Sequence, residues 1–190
     1  MKRWSVWYPL VVSALLLVPA CGPSRGAAES ALSAAESAYA KIAEQATNLS
    51  PDEAHAIEAS LAAARASLAR GEYKSVVTAA AELEARIKLL ADGLPALAAK
   101  LQADWQSLAE SVPGSLATVQ RKLDAFGQPP SGAPGRAAYD SAAARIAVAN
   151  QQWDEARTLA AGGKLAQAIA LGEQVRAGMV AVLDLLQVGS

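Results

Sequence analysis

Apolar positions recur along most of the chain at alternating spacings of three and four, the signature of helices with one buried stripe. The first series is Leu32, Ala35, Tyr39, Ile42, Ala46 and Leu49, predicting a helix over about Ala27–Ala46. A second helix carries Ala54, Ile57, Leu61, Ala64 and Leu68. Its start is marked by Ser50-Pro51-Asp52-Glu53: a capping serine, a proline for the first helical position, and a glutamate able to complete a capping box. Its end falls at Arg70-Gly71. A third helix from Glu72 carries Tyr73, Val76, Ala80, Leu83, Ile87 and Leu90. The proline and glycine of Asp92-Gly93-Leu94-Pro95 and of Val112-Pro113-Gly114-Ser115 predict breaks. Between them lies a fourth helix with Leu97, Leu101, Trp105 and Leu108, and beyond them a short fifth with Leu116, Val119, Leu123 and Phe126. Gly127–Gly135, GQPPSGAPG, reads as a loop. A sixth helix carries Tyr139, Ala142, Ile146, Ala149, Trp153, Ala156 and Ala160, and after Gly162-Gly163 a seventh carries Leu165, Ala168, Val175, Met179, Val182 and Leu186.

These stripes predict an all-α fold of about seven helices: antiparallel hairpins with alanine-rich heptad seams, forming a bundle or short array. A faint internal repeat accompanies them. Leu61-x-x-Ala64-Arg65 before the Gly71 turn matches Trp153-x-x-Ala156-Arg157 before the Gly163 turn, both at an offset of 92. Duplication of one hairpin and coincidence in alanine-rich sequence both account for it.

The N-terminus departs from this pattern. Met1-Lys2-Arg3 is followed by an apolar run from Trp4 to Ala20, interrupted by Pro9 and too short for a durable membrane span. Residues 1–20 therefore read as a secretory signal that ends before Cys21. Cys21 is the one cysteine in 190 residues, so no internal disulfide is available to it. Val18-Pro19-Ala20-Cys21 resembles the bacterial lipobox. That resemblance implies signal cleavage between Ala20 and Cys21, a diacylglyceryl group on the Cys21 thiol, and acylation of the new amine. Each buried methylene contributes about 0.8 kcal/mol, so two or three chains hold a protein on a bilayer where one does not. In such lipoproteins an Asp after the cysteine signals retention in the inner membrane. Gly22 stands there, which implies the periplasmic face of the outer membrane.

The organisation expected is a signal over 1–20, a tether over 21–26, an alanine-rich helical domain over 27–126, a loop over 127–135 and a helical hairpin over 136–190. Alanine supplies 47 of the 190 residues, which strengthens the helical reading. Without Lys2 and Arg3 the mature chain holds 15 basic and 18 acidic residues, a net of −3, scattered without blocks. No basic stripe of the kind nucleic acid requires is present in the sequence. Residues 27–90 resemble an uncharacterised alanine-rich helical domain of proteobacterial lipoproteins, through Ser50-Pro51-Asp52-Glu53, then Ala64, Leu68, Gly71 and Tyr73. This resemblance implies an envelope location and a helical fold, and no activity.

Candidate chemistry is sparse. His55 is the single histidine, and in the first turn of its helix it reads as a solvated residue; without a cysteine beside it, it makes no ordinary transition-metal site. Gly162-Gly163-Lys164 lacks a preceding strand and has Leu165 where a phosphate loop needs Ser or Thr, so it reads as a turn. No catalytic, cofactor-binding or metal-ligating residue is assigned, and the expectation is a non-enzyme. Tyr39, Tyr73, Tyr139, Trp105 and Trp153 either fill seam gaps left by alanine or line a groove. The expected function is a membrane-anchored scaffold or accessory subunit, binding a protein partner in the envelope through helical surfaces. The alternative is a module that binds a small apolar ligand or cell-wall glycan in an inter-helix groove.

Overall fold

A computed structural model describes residues 23–125 and 133–188. The lipobox, with Ala20 and Cys21, and most of the Gly127–Gly135 segment lie outside the described residues. The described residues are all-helical, in six helices: α1 (Arg25–Ala40), α2 (Ala43–Leu49), α3 (Pro51–Ala69), α4 (Tyr73–Asp124), α5 (Ala133–Ala161) and α6 (Leu165–Val188).

Three boundaries differ from the sequence reading. The first predicted helix is split at Lys41–Ile42, where Ile42 N–H bonds to Tyr39 C=O in a tighter turn. Ala46 and Leu49 of α2 are both buried, so the stripe continues across the break. The third, fourth and fifth predicted helices are one helix, α4, 52 residues long, with Pro95 and Pro113 inside it. Both prolines sit on its exposed face, while their neighbours Leu94 and Val112 are 1% and 0% exposed. The cost of each proline is one lost hydrogen bond, to the carbonyl of Ala91 or Ala109, on a side that water reaches. Burial on the opposite side holds the backbone helical. The sixth helix begins within the predicted loop, so Ala133, Pro134 and Gly135 are helical.

Pro51 occupies the first turn of α3 as expected, but the capping box does not form. Ser50 makes no side-chain cap bond. Glu53 instead accepts two hydrogen bonds from Arg86 of α4, one to Oε1 from Nε and one of 2.9 Å to Oε2 from Nη2. The Arg86 guanidinium holds the Glu53 carboxyl below its usual range. A bidentate partner from another helix outcompetes a local backbone amide.

The helices enclose two buried clusters. Leu32, Tyr39, Ile57, Leu61, Val76 and Ile87 belong to the first, built from α1, α2, α3 and the start of α4. Val112, Leu116, Ile146, Trp153, Met179 and Val182 belong to the second, built from the end of α4 with α5 and α6. The second cluster thus draws on both sides of residues 127–135. Between Leu94 and Leu108 the long helix has no buried residue. There it passes from one cluster to the other, and α2 touches α6 across the junction.

The clusters repeat one plan. Ala54, Ile57, Leu61, Ala64, Val76, Leu83, Ile87 and Leu94 are buried, and so is every residue 92 positions later: Ile146, Ala149, Trp153, Ala156, Ala168, Val175, Met179 and Leu186. The turns coincide as well. Gly71 (φ +79°) and Gly163 (φ +77°) each close a helix in the left-handed region that favours glycine. In both, the next amide reaches back to the last turn, Glu72 to Ser67 and Lys164 to Leu159. Gly162-Gly163-Lys164 is a turn, as read from sequence. The correspondence extends to the preceding helix at an offset of 84: Ala28, Leu32, Ala35 and Tyr39 match Val112, Leu116, Val119 and Leu123. Three helices therefore correspond between the units, α1, α3 and the start of α4 with the end of α4, α5 and α6, and α2 is additional in the first.

Because interior prolines oppose α4 without touching either core, Pro95→Ala should stabilise the protein by about 1–3 kcal/mol. Urea unfolding measures this; an unchanged or lowered midpoint would show that α4 is interrupted there.

Candidate functional site

In both units the first and second helices pack more closely on the third than on each other. In the second unit α4 and α5 each pack closely on α6 but touch one another much less. An open groove of about 920 Å³ runs between them. On α4 it extends from Gln102 to Gln120, about 27 Å at 1.5 Å per residue.

Trp105 and Trp153 define one end. Their rings stack with centroids 5.3 Å apart and planes 24° from parallel. Trp153 is 7% exposed and belongs to the core, whereas Trp105 is half-buried and borders the groove. Gly172 of α6 gives the Trp153 ring its room. A Cβ there would lie 3.4 Å from the indole and 3.2 Å from Leu108. Alanine occupies the matching position of the first unit, Ala80, where Leu61 replaces the tryptophan.

The rest of the wall is Pro113, Gln120, Asn150, Arg157 and small residues. Gln120 donates to Asp124 at 2.8 Å, and Asn150 donates to the Ile146 carbonyl at 3.0 Å. Arg157 has a long contact, 3.5 Å, with Asp154 one turn earlier on its own helix, and both side chains are exposed. The arrangement can hold a ligand by stacking, by amide hydrogen bonds and by one guanidinium.

The remaining aromatics divide. Tyr39 is a core residue whose hydroxyl donates to Glu58 at 3.0 Å; burial first, then that bond, pushes its pKa up. Tyr73 and Tyr139 pack at the edges of the two clusters. His55 is exposed, with Nδ1 3.6 Å from Glu58. Among the described residues no three His, Cys, Asp or Glu side chains are gathered as a metal site would require. None of the described helices is long and apolar enough to cross a membrane. Sequence reasoning named Trp105 and Trp153 but not their pairing, named Arg157 only within the repeat, and missed Gln120 and Asn150. The one available signal was the repeat at offset 92, which puts Arg157 opposite Arg65 in register.

No known family model, curated protein or solved structure matches this chain.

The core position of Trp153 and the rim position of Trp105 predict unequal costs. Trp153→Ala should destabilise the protein by about 3–5 kcal/mol, and Trp105→Ala by clearly less. Either change should abolish the near-ultraviolet dichroism of the stacked pair. Equal losses, or an undisturbed spectrum, would contradict the stacking.

Proposed function

We propose that this protein is a lipid-anchored envelope protein, a non-enzymatic scaffold or accessory subunit that carries a binding face away from the bilayer. In this reading residues 1–20 are removed, Cys21 is acylated, and the protein faces the periplasm from the outer membrane. The lipobox resemblance of Val18-Cys21 and Gly22 after it support that location. The helices then act as antiparallel hairpins with alanine-lined seams, rigid enough to space two ends apart.

The observation that carries this reading is the geometry of α4 relative to the chain start. Pro23, two residues after Cys21, borders a surface hollow with Gly71, Glu72 and Tyr73, at the start of α4. An anchor at Cys21 would sit at that end. A 52-residue helix rises about 78 Å, and Trp105, 32 residues along it, stands about 48 Å from its start. The second unit is thereby presented far from the membrane. Apolar surface supports a protein partner there: Val148 and Val180 are 52% and 59% exposed, and Val148 borders a small groove of about 270 Å³ between α5 and α6.

A second reading, a ligand-binding module, is favoured by one specific observation, the open tryptophan-bordered groove between α4 and α5. The two readings share the anchor and the spacing.

Metabolic labelling with a fatty-acid analogue, followed by membrane fractionation, tests the anchor. The wild-type protein should take up label and sediment with outer membranes, and Cys21→Ser should lose both properties. A Cys21→Ser protein that still sediments with membranes would overturn the proposal.

A further inference from the structure

The matching burial patterns of the two units permit a comparison within one molecule. In the first unit Arg65 of α3 donates from Nε to Glu36 of α1 at 2.7 Å, a bond that ties these two helices together. The residues in register in the second unit are Arg157 and Gln120, by the offsets of 92 and 84 that superimpose the buried positions. The guanidinium is kept and its carboxylate is replaced by an amide. Two further exchanges follow the same direction. Glu58, which accepts from Tyr39, corresponds to Asn150, and Glu29, which accepts from Arg25 at 2.7 Å, corresponds to Pro113. All three neutral replacements line the groove, and among the described residues no acidic one does.

The second unit thus lacks the acidic half of this latch, and Gln120 and Arg157, the residues in its place, line the groove. There stands an open channel with an indole at one end, amides along the walls and a guanidinium whose one ion pair among the described residues is a long contact on its own helix. A ligand that restores what Glu36 supplies carries an anionic oxygen group, a carboxylate being the like-for-like replacement. A ligand that uses an indole edge and two side-chain amides must also present ring faces and hydroxyl or acetamido groups.

From this we infer that the α4–α5 groove binds an acidic, N-acetylated oligosaccharide, its carboxylate on Arg157, its amide and hydroxyl groups on Gln120 and Asn150, and a sugar face against Trp105. The inference rests on the ligand-binding reading and adds the class of ligand. Binding is non-covalent, and it is limited by salt because the charged contact is exposed.

The mature chain has two tryptophans, Trp105 and Trp153, both at the groove, so intrinsic fluorescence reports on it directly. The full mature chain, carrying Cys21→Ser to keep it in solution, is titrated with three probes. These are N-acetylglucosaminyl-N-acetylmuramic acid, the same disaccharide with its carboxyl reduced to an alcohol, and hexaglutamate. The acidic disaccharide should give a saturable change, with the reduced form binding about tenfold or more weakly. Arg157→Gln should weaken binding by a similar factor. So should Gln120→Glu, which rebuilds the internal latch; its thermal midpoint and far-ultraviolet dichroism show that it is folded. Lys164→Gln, outside the groove, should bind as the wild type does. Equal binding of the acidic and reduced sugars, or undiminished binding by folded Gln120→Glu, would overturn the acidic assignment and leave the groove reading standing. A response to hexaglutamate alone would assign the groove to an acidic peptide and overturn the saccharide. No response to any probe would sink both the inference and the ligand-binding reading beneath it.

Discussion

Everything in this fold depends on α4 staying helical through two prolines. Local energetics oppose it, since an interior proline costs about 3 kcal/mol relative to alanine. The burial pattern resolves the conflict: Leu94 and Val112 are sealed in hydrophobic contact while Pro95 and Pro113 face outward. Were α4 to break at either point, the third helix of one unit and the first helix of the next would be separate rods. The spacing between the start of α4 and the groove would then be undefined. The helix is thus both a wall of each core and the strut between them.

The seams could be read from the sequence because they are local periodicities. Ala142, Ile146, Ala149, Trp153 and Ala156 were placed on one stripe by spacing alone, and all are buried. The Gly71 and Gly163 turns were legible for a related reason, as both glycines adopt a backbone conformation that other residues resist. The prolines misled because their rule describes an isolated helix, and packing on both sides overrides it. The capping box at Ser50 failed on similar grounds: Glu53 answers to Arg86, thirty-three residues away, and no window around residue 53 contains that information.

The groove was the least legible feature. Its parts come from α4, α5 and the first residue of α6, which no local window of the sequence brings together. Only alignment of the two units makes Gln120 informative, by placing it where Glu36 stands in the first unit. The two units share their buried positions and differ in this latch: Arg65 donates to Glu36 in the first, whereas Gln120 stands in that carboxylate's place in the second, on the wall of the groove. Exposed ion pairs contribute little to stability, so the second unit can fold without one there.

The most direct measurement is the length of α4 in solution. Spin labels on Thr78→Cys and Thr118→Cys, in a Cys21→Ser background, mark two exposed sites forty residues apart on this helix. Dipolar spectroscopy should return one narrow distance near 60 Å, as 1.5 Å per residue requires. A broad distribution, or a dominant distance below about 45 Å, would mean that the chain folds back at a proline, contrary to the 1.5 Å rise expected of an unbroken helix.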